Sequence, residues 1–432
     1  MPSQSPKIAF AGLGAMGYGM AAHLVRSGYA VTGFDVYQPA LDRFLKEGKA
    51  ASAAKTPKEA VHDADVFICM VATSVQATPL LFDAESGAVQ GLKANATIIM
   101  CSTVAPAYID ELQSRLKGAG RSDLRLIDSP VSGGAGRAAD GTLSIFASGA
   151  KEDVEIARVV LQCMSGKLYE IPGGLGGGSN AKMIHQVFAG IHIAMANEAM
   201  GLAAAAGLDT REVFEKLKGS EASSWMFENR VPPMLDAGLG RYSAITIIAK
   251  DVGIITQTAR THHFPLPLLA TAEQLYLAAL TQGWGPEDDC VLVRLYLPPS
   301  QPHLVATQAG HSSSNNNNNN PSAIHHNVTW ETIRDIMIAV HMAAITEAMR
   351  FCEVVDVDVE LMYDIVANAA GNSKVFGACF HGMKGMGWRV EGVEGGGEVV
   401  GRLVSLIFFF FFTPLSSCCI SLFRSLFPYL TF

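Results

Sequence analysis

Three glycines, Gly12, Gly14 and Gly17, stand at the G-x-G-x-x-G spacing directly after the apolar run KIAFA and directly before a helical pattern. In that setting each has a physical use. Gly12 permits a tight turn, Gly14 lets backbone N–H groups approach a pyrophosphate, and Gly17 allows close strand–helix contact, with Leu13, Ala15 and Met16 completing the cradle. Asp35 ends the second apolar run, YAVTGFD, at the distance where a carboxylate accepts from both ribose hydroxyls. That carboxylate would repel a 2′-phosphate, so the pattern predicts NAD rather than NADP. Met70 and Val71, at the end of the run DVFICMV, are expected to line the adenosine side.

Further along, Ser132-Gly133-Gly134 follows the strand-like LRLIDSPV as a polar turn almost without side chains, whose N–H groups and hydroxyl can cradle a carboxylate. A plain turn is the other reading of these glycines taken alone. Lys182 opens a long apolar helical pattern. Desolvation there favours the neutral amine, the form that accepts a proton, whereas in isolation the same residue is a snorkelling surface lysine. His185 and Gln186, three and four residues on, share its helical face and offer donors and acceptors; the plainer reading is a surface His and Gln.

The elements that position these residues follow from periodicity. Between Lys7 and Gly149 short β-rich runs alternate with helical patterns, which calls for a doubly wound, mostly parallel sheet. One more α/β unit, Asp153 to Met164 and then KLYEIPG, closes a dinucleotide-binding domain at 1–175. An all-α domain follows at 176–284, with helices expected over Ala181 to Gly207, Thr210 to Leu217, Ser224 to Ala237, Ile245 to His262 and Ala270 to Gln282. Residues 285–328, with PEDD, LPPSQP and SSSNNNNNNPS, have the composition of a linker. At 329–387 the helical pattern returns as a partial repeat. A shift of 149 sets His192 on His341, Glu198-Ala199-Met200 on Glu347-Ala348-Met349, Asp209 on Asp358, Ser224 on Ser373 and Phe227 on Phe376 without a gap. In that register Lys182 falls on Glu331, so the second copy is expected to serve packing or oligomerisation rather than as a second active site.

Residues 388–432 have no packing logic. Leu403 to Phe423 approaches the ~20 residues that span a bilayer, but Pro414 and a run of Ser and Cys interrupt it. The five phenylalanines Phe408 to Phe412 require a long pyrimidine tract, as found before intron acceptor sites, so this tail is expected to be translated non-coding sequence rather than an anchor. The formal charge of -8, from 32 Lys and Arg against 40 Asp and Glu, speaks against nucleic acid and anionic membrane surfaces. The eight cysteines show no metal or CxxC spacing and are expected to be reduced; no metal is expected. His262, His263, His325 and His326 sit in breaker-rich segments and are expected to be solvated. The start MPSQSPKIAFAG lacks the apolar core of a signal peptide and supports no mitochondrial leader, which leaves the cytoplasm as the expected location.

Over Lys7 to about Gln282 four segments in order, GLGAMGYGMAAHL, DSPVSGGAGRAADGTLSIFASG, GGGSNAKMIHQ and AKDVG, resemble the β-hydroxyacid dehydrogenase family of 3-hydroxyisobutyrate, threonate and tartronate-semialdehyde oxidoreductases. The resemblance implies a Rossmann domain followed by an all-α domain like that of 6-phosphogluconate dehydrogenase, here partly repeated. It also implies NAD-linked oxidation of a small carboxylate substrate held in the crevice between domains, and a homo-oligomer, dimer or tetramer. On this likeness Lys182 is the general acid/base, Ser132, Gly133 and Gly134 hold the substrate carboxylate, and Thr103 and Lys250 contact the cofactor. The KMIHQ variant is similar to the L-threonate branch, in which His185 and Gln186 would meet extra hydroxyls of a four-carbon sugar acid. A 3-hydroxyisobutyrate dehydrogenase or semialdehyde reductase stays open as an alternative. So does a non-catalytic nucleotide-binding scaffold, against which the retained Lys182 argues.

Overall fold

A computed structural model describes residues 5–236, 243–310 and 328–388. They fall into two compact units, Met1–Met183 and Ile184–Phe432.

The first unit is built on six parallel strands: β1 (Ile8–Ala11), β2 (Val31–Phe34), β3 (Ala51–Ala53), β4 (Val66–Cys69), β5 (Thr97–Met100) and β6 (Arg125–Asp128), in the order β3-β2-β1-β4-β5-β6. β1, β4 and β5 are buried along their whole length, which is why they appear as unbroken apolar runs rather than alternating ones. Crossover helices cover both faces: Ile8, Phe10 and Ile68 face one core, while Ala9, Phe67 and Ile98 face the other. Order and layering are those of a dinucleotide-binding sheet.

Two details differ from expectation. β3 is a short, mostly exposed edge strand with no apolar signal. The run LRLIDSPV is not one strand: it breaks after Asp128 at Ser129-Pro130, and β7 (Val131–Ser132) joins a second sheet, β7-β8-β9, with β8 (Leu143–Ala147) and β9 (Ser165–Glu170). Pro130 has no N–H to continue the ladder. β7 runs antiparallel to β8, and β8 parallel to β9.

The second unit is helical. The helix Gly177–Ala205 is long and apolar enough to cross a membrane, alone in this among the described residues; 89% of its most apolar window is buried inside the protein, as in a core helix. Helices Thr210–Lys218, Trp225–Leu235, Ile245–Thr261 and Pro267–Thr281 lie close to the expected bounds.

The segment from 285 departs from the linker expectation over its first part. The 3-10 helix Asp289–Tyr296 buries Asp289, Cys290, Leu292 and Val293, and Cys290, Val293, Leu297 and Val305 join the core cluster of Phe227 and Val231. Its acidic residues are accounted for: Asp288 caps the 3-10 helix, and Asp289 is paired with the buried Arg230 at 2.5 Å. The Asn-rich stretch falls within 311–327, outside the described residues, as do the tail from 389, His325, His326, Cys418 and Cys419. His262 and His263 are exposed as expected. Cys69, Cys101, Cys290 and Cys352 are free and buried.

Helix bounds recur at the shift of 149. Helix Val359–Ala367 coincides residue for residue with Thr210–Lys218 shifted by 149, and Lys374–Gly385 begins at the shifted position of Trp225–Leu235. Caps repeat as well: Asp209 and Asp358 each accept first-turn amides, and Ser224 and Ser373 accept from Phe227 and Phe376.

Replacing Arg230 with Met strands a buried carboxylate at Asp289. Urea unfolding should register a loss of about 3–5 kcal/mol; a change below about 0.5 kcal/mol would return the segment after 285 to solvated linker.

Candidate active site

The glycine turn joins β1 to the helix Gly17–Arg26. Gly12 has φ +93°, and a Cβ there would lie 2.3 Å from the Met70 carbonyl oxygen. A Cβ on Gly17 would lie 1.8 Å from the Gly12 carbonyl oxygen. Both are fixed by backbone approach. Gly14 differs, because a Cβ there meets nothing within 4 Å. Packing does not require that glycine; its missing side chain leaves the turn accessible. The helix behind it has no side-chain cap and no acidic residue in its first turn, so its positive end is uncompensated. These features fit a pyrophosphate.

Asp35 stands just past β2 and accepts the Leu13 N–H at 2.6 Å and the Tyr37 N–H at 2.8 Å. A carboxylate has about four acceptor sites, so capacity for ribose hydroxyls is left. Met70 and Val71 follow β4, half-buried, and the Val71 N–H donates to Ser102 Oγ at 2.9 Å. Thr103, half-buried, follows β5. The predicted cofactor residues Gly12 to Gly17, Asp35, Met70, Val71 and Thr103 thus share the carboxyl edge of β1, β2, β4 and β5, where doubly wound sheets bind ligands. Sequence reading missed the apolar side chains Val36, Tyr37 and Val75 beside them, which are 93%, 65% and 80% exposed. It also missed Gly19, where a Cβ would lie 2.8 Å from the Ala139 amide nitrogen and separate two helices.

Ser132 ends β7 and is buried, while Gly133 at φ +142° and Gly134 at φ +76° lead into the helix Gly134–Asp140. The left-handed backbone there is what the two glycines supply.

Lys182 is 6% exposed, between the buried Ala181 and Met183, so it is not a snorkelling surface residue. Its helix is anchored by a residue to which sequence reading assigned no role. Asp128, wholly buried at the end of β6, accepts the Ser179 N–H at 2.7 Å and the Ser179 hydroxyl at 2.8 Å. Ser148 Oγ takes the Gly178 N–H at 2.8 Å, and a Cβ on Gly178 would lie 2.2 Å from the Phe146 carbonyl oxygen. Burial pushes the Asp128 carboxyl up to about 7, against the hydrogen bonds from Ser179.

In the helical unit His185, Gln186, Lys250 and Asp251 come together. His185 and Gln186 are buried rather than on the helix surface. The Gly371 N–H donates to His185 Nε2 at 3.1 Å; a backbone amide only donates, so the ring proton sits on Nδ1, which meets Gln186 Oε1 at 3.1 Å. Gln186 Nε2 donates to Asp251 Oδ2 at 2.6 Å, and Asp251 Oδ1 pairs with Lys250 Nζ at 2.9 Å. Asp251 lies inside the quoted AKDVG, so its signal was present; Gly371 lies 186 residues from His185 and had none. Among the described residues no cluster of His, Cys, Asp or Glu could hold a metal.

Sheet order, an accessible glycine turn on an uncapped helix and an acidic residue after β2 define an NAD-dependent oxidoreductase of the Rossmann class. Comparison with known proteins narrows this. Residues 7–173 match the NAD-binding domain of 6-phosphogluconate dehydrogenase, and 176–296 match the family described as NAD-binding of NADP-dependent 3-hydroxyisobutyrate dehydrogenase. The L-threonate dehydrogenase of Cupriavidus necator is 39% identical over 292 residues, 68% of this chain and 96% of that protein. The Escherichia coli (strain K12) L-threonate dehydrogenase is 37% identical, over 67% of this chain and 94% of its own length. Among solved structures, 3-hydroxyisobutyrate dehydrogenase from Salmonella typhimurium is similar with a TM-score of 0.62 at 34% identity, covering 67% of this chain and all of that one. The chain belongs to the β-hydroxyacid dehydrogenase family.

Two outcomes test this geometry. Asp35→Ala should raise KM for NAD roughly tenfold or more, the loss of hydrogen bonds to a charged acceptor, and narrow the preference over NADP; initial rates with both coenzymes check it. For Asp128, the folded chain keeps its proton between about pH 4 and about 7, where the unfolded chain has lost it. Its contribution is therefore present below pH 4 and lost as pH rises through about 7. The stability difference between wild type and Asp128→Asn, followed by denaturant unfolding across that window, should shift against the wild type as pH rises.

Proposed function

We propose that the protein oxidises a small hydroxy acid, a four-carbon sugar acid such as L-threonate in first place, with Lys182 as the general acid/base. The observation that carries this is the burial of Lys182, three residues past the Ser179 amide that Asp128 holds. The fit of the glycine turn and Asp35 to a dinucleotide supports NAD as the coenzyme. Bound there, NAD supplies a hydride acceptor.

In the proposed mechanism the turn Ser132-Gly133-Gly134 binds the substrate carboxylate through backbone N–H groups and the Ser132 hydroxyl. The neutral Lys182 amine takes the proton of the hydroxyl being oxidised, and the ammonium returns it in the reverse direction. Burial excludes water from that amine. His185 and Gln186 supply donors and acceptors for the further hydroxyls of a sugar acid; their burial and fixed orientation support a binding role. The L-threonate dehydrogenases at 37–39% identity favour that substrate. The likeness to the Salmonella typhimurium 3-hydroxyisobutyrate dehydrogenase favours a second reading, in which a branched three-carbon-chain acid takes its place.

Lys182→Ala should lower kcat by about 10²–10⁴ while NAD still binds in a fluorescence titration. Full activity in that variant would remove Lys182 from the mechanism, whereas NAD binding without turnover of any of these substrates by the wild type would reopen the scaffold reading. Initial rates on L-threonate, 3-hydroxyisobutyrate and succinic semialdehyde should rank in that order.

A further inference from the structure

The two helical copies are packed against each other, and the contacts pair equivalent residues. His192 and His341, equivalent under the shift of 149, meet Nε2 to Nδ1 at 3.0 Å, edge to face and fully buried. Ser224 and Ser373, also equivalent, form an isolated antiparallel bridge. On either side of it the Trp225 N–H donates to the Asn372 carbonyl and the Lys374 N–H to the Ser223 carbonyl, both at 3.0 Å. Those two bonds are images of one another under the shift. A third contact is offset by one residue: His185 of the first copy receives the Gly371 N–H of the second, and Arg334, at the position equivalent to His185, reaches Glu221, the neighbour of Gly371's equivalent Ala222, at 3.7 Å.

When residue i meets j′ and j meets i′, with self-paired residues between, the arrangement is an isologous two-fold interface. Such interfaces join two copies of one surface. Here both copies lie in one chain, and the second lies beyond residue 296, where the matched families end. The packing is close and specific: Phe188 meets Phe376 at 5.2 Å edge to face, and His341 Nε2 donates to the Ala222 carbonyl at 3.0 Å. A Cβ on Gly371 would lie 3.2 Å from Phe188 Cβ, so this turn comes as near to the first copy's helix as a residue without a side chain allows.

We propose that the second copy is a tethered counterpart of the first: it fills from within the chain the place that a second molecule would take, and its Gly371 amide is a positioning group for His185. The second half rests on the proposed substrate role of His185; the first half does not. Gly371 acts through the ring. With Nε2 held by the amide, the Nδ1 proton is committed to Gln186, which in turn is held by Asp251.

The bridge offers a direct test in the full chain. Its flanking hydrogen bonds make Ser224 and Ser373 a non-hydrogen-bonded pair, with Cα atoms about 4.5 Å apart, within disulfide range. The double variant Ser224→Cys, Ser373→Cys should oxidise to an internal cross-link, found by peptide mapping, in a species that migrates at the mass of one chain. A cross-linked species of two chains, or no cross-link in a folded protein, would overturn the tethered arrangement. For the positioning role, Gly371→Ala keeps the amide proton and controls for the side chain added against Phe188, whereas Gly371→Pro removes that proton and His185→Ala removes the ring. The latter two should raise KM for the hydroxy acid about tenfold, with KM for NAD unchanged. An effect of His185→Ala without one of Gly371→Pro sinks the positioning role alone, whereas no effect of either sinks the substrate role of His185.

Discussion

The structure of the first unit turns on one buried carboxylate. Asp128 ends a central-sheet strand and takes both the amide and the hydroxyl of Ser179, 51 residues later in the chain, at the start of the helix Gly177–Ala205. A carboxylate in such a place is costly to bury and is tolerated because its acceptors are met. It fixes the helix axis at one end, and Lys182 stands one turn further on. The neighbouring Ser148 and the close approach of Gly178 to β8 leave that end little freedom. The general base proposed at Lys182 would need its geometry kept to within fractions of an ångström, and the constraint present here acts through the backbone rather than through the lysine itself.

What could be read from the sequence followed from local physics. β1, β4 and β5 were legible because strands covered on both faces are unbroken apolar runs. The glycine turn was legible because each glycine answers a local demand that strand and helix announce. β3 was not, since three small, mostly exposed residues carry no pattern. The division of LRLIDSPV between two sheets was also hidden, because the partner of β7 is chosen by tertiary pairing with β8. The acidic segment at 286–289 appeared solvated because nothing nearby in sequence says that Arg230, 59 residues away, neutralises Asp289. Likewise His185 and Gln186 looked like surface residues until the distant partners Gly371 and Asp251 covered them. Apart from β3, the missing information was a long-range contact, to which periodicity is blind.

The repeat was the exception: a long-range relation legible in the sequence, because duplication writes the same caps and apolar positions twice. Periodicity alone did not reveal that the copies face each other. That required His192 and His341 to be seen in contact, both kept neutral, with burial pushing His341 down to about 4.

A self-facing interface within one chain changes how errors propagate. In a two-molecule assembly every substitution enters the shared surface twice, and its effect is doubled with no choice in the matter. Here a change at His341 enters once, and its mate His192 can stay as it is. The two sides are thereby released from identity and can drift apart, one retaining chemistry while the other specialises in support. Lys182 on one side and Glu331 at its equivalent on the other are already a record of that asymmetry.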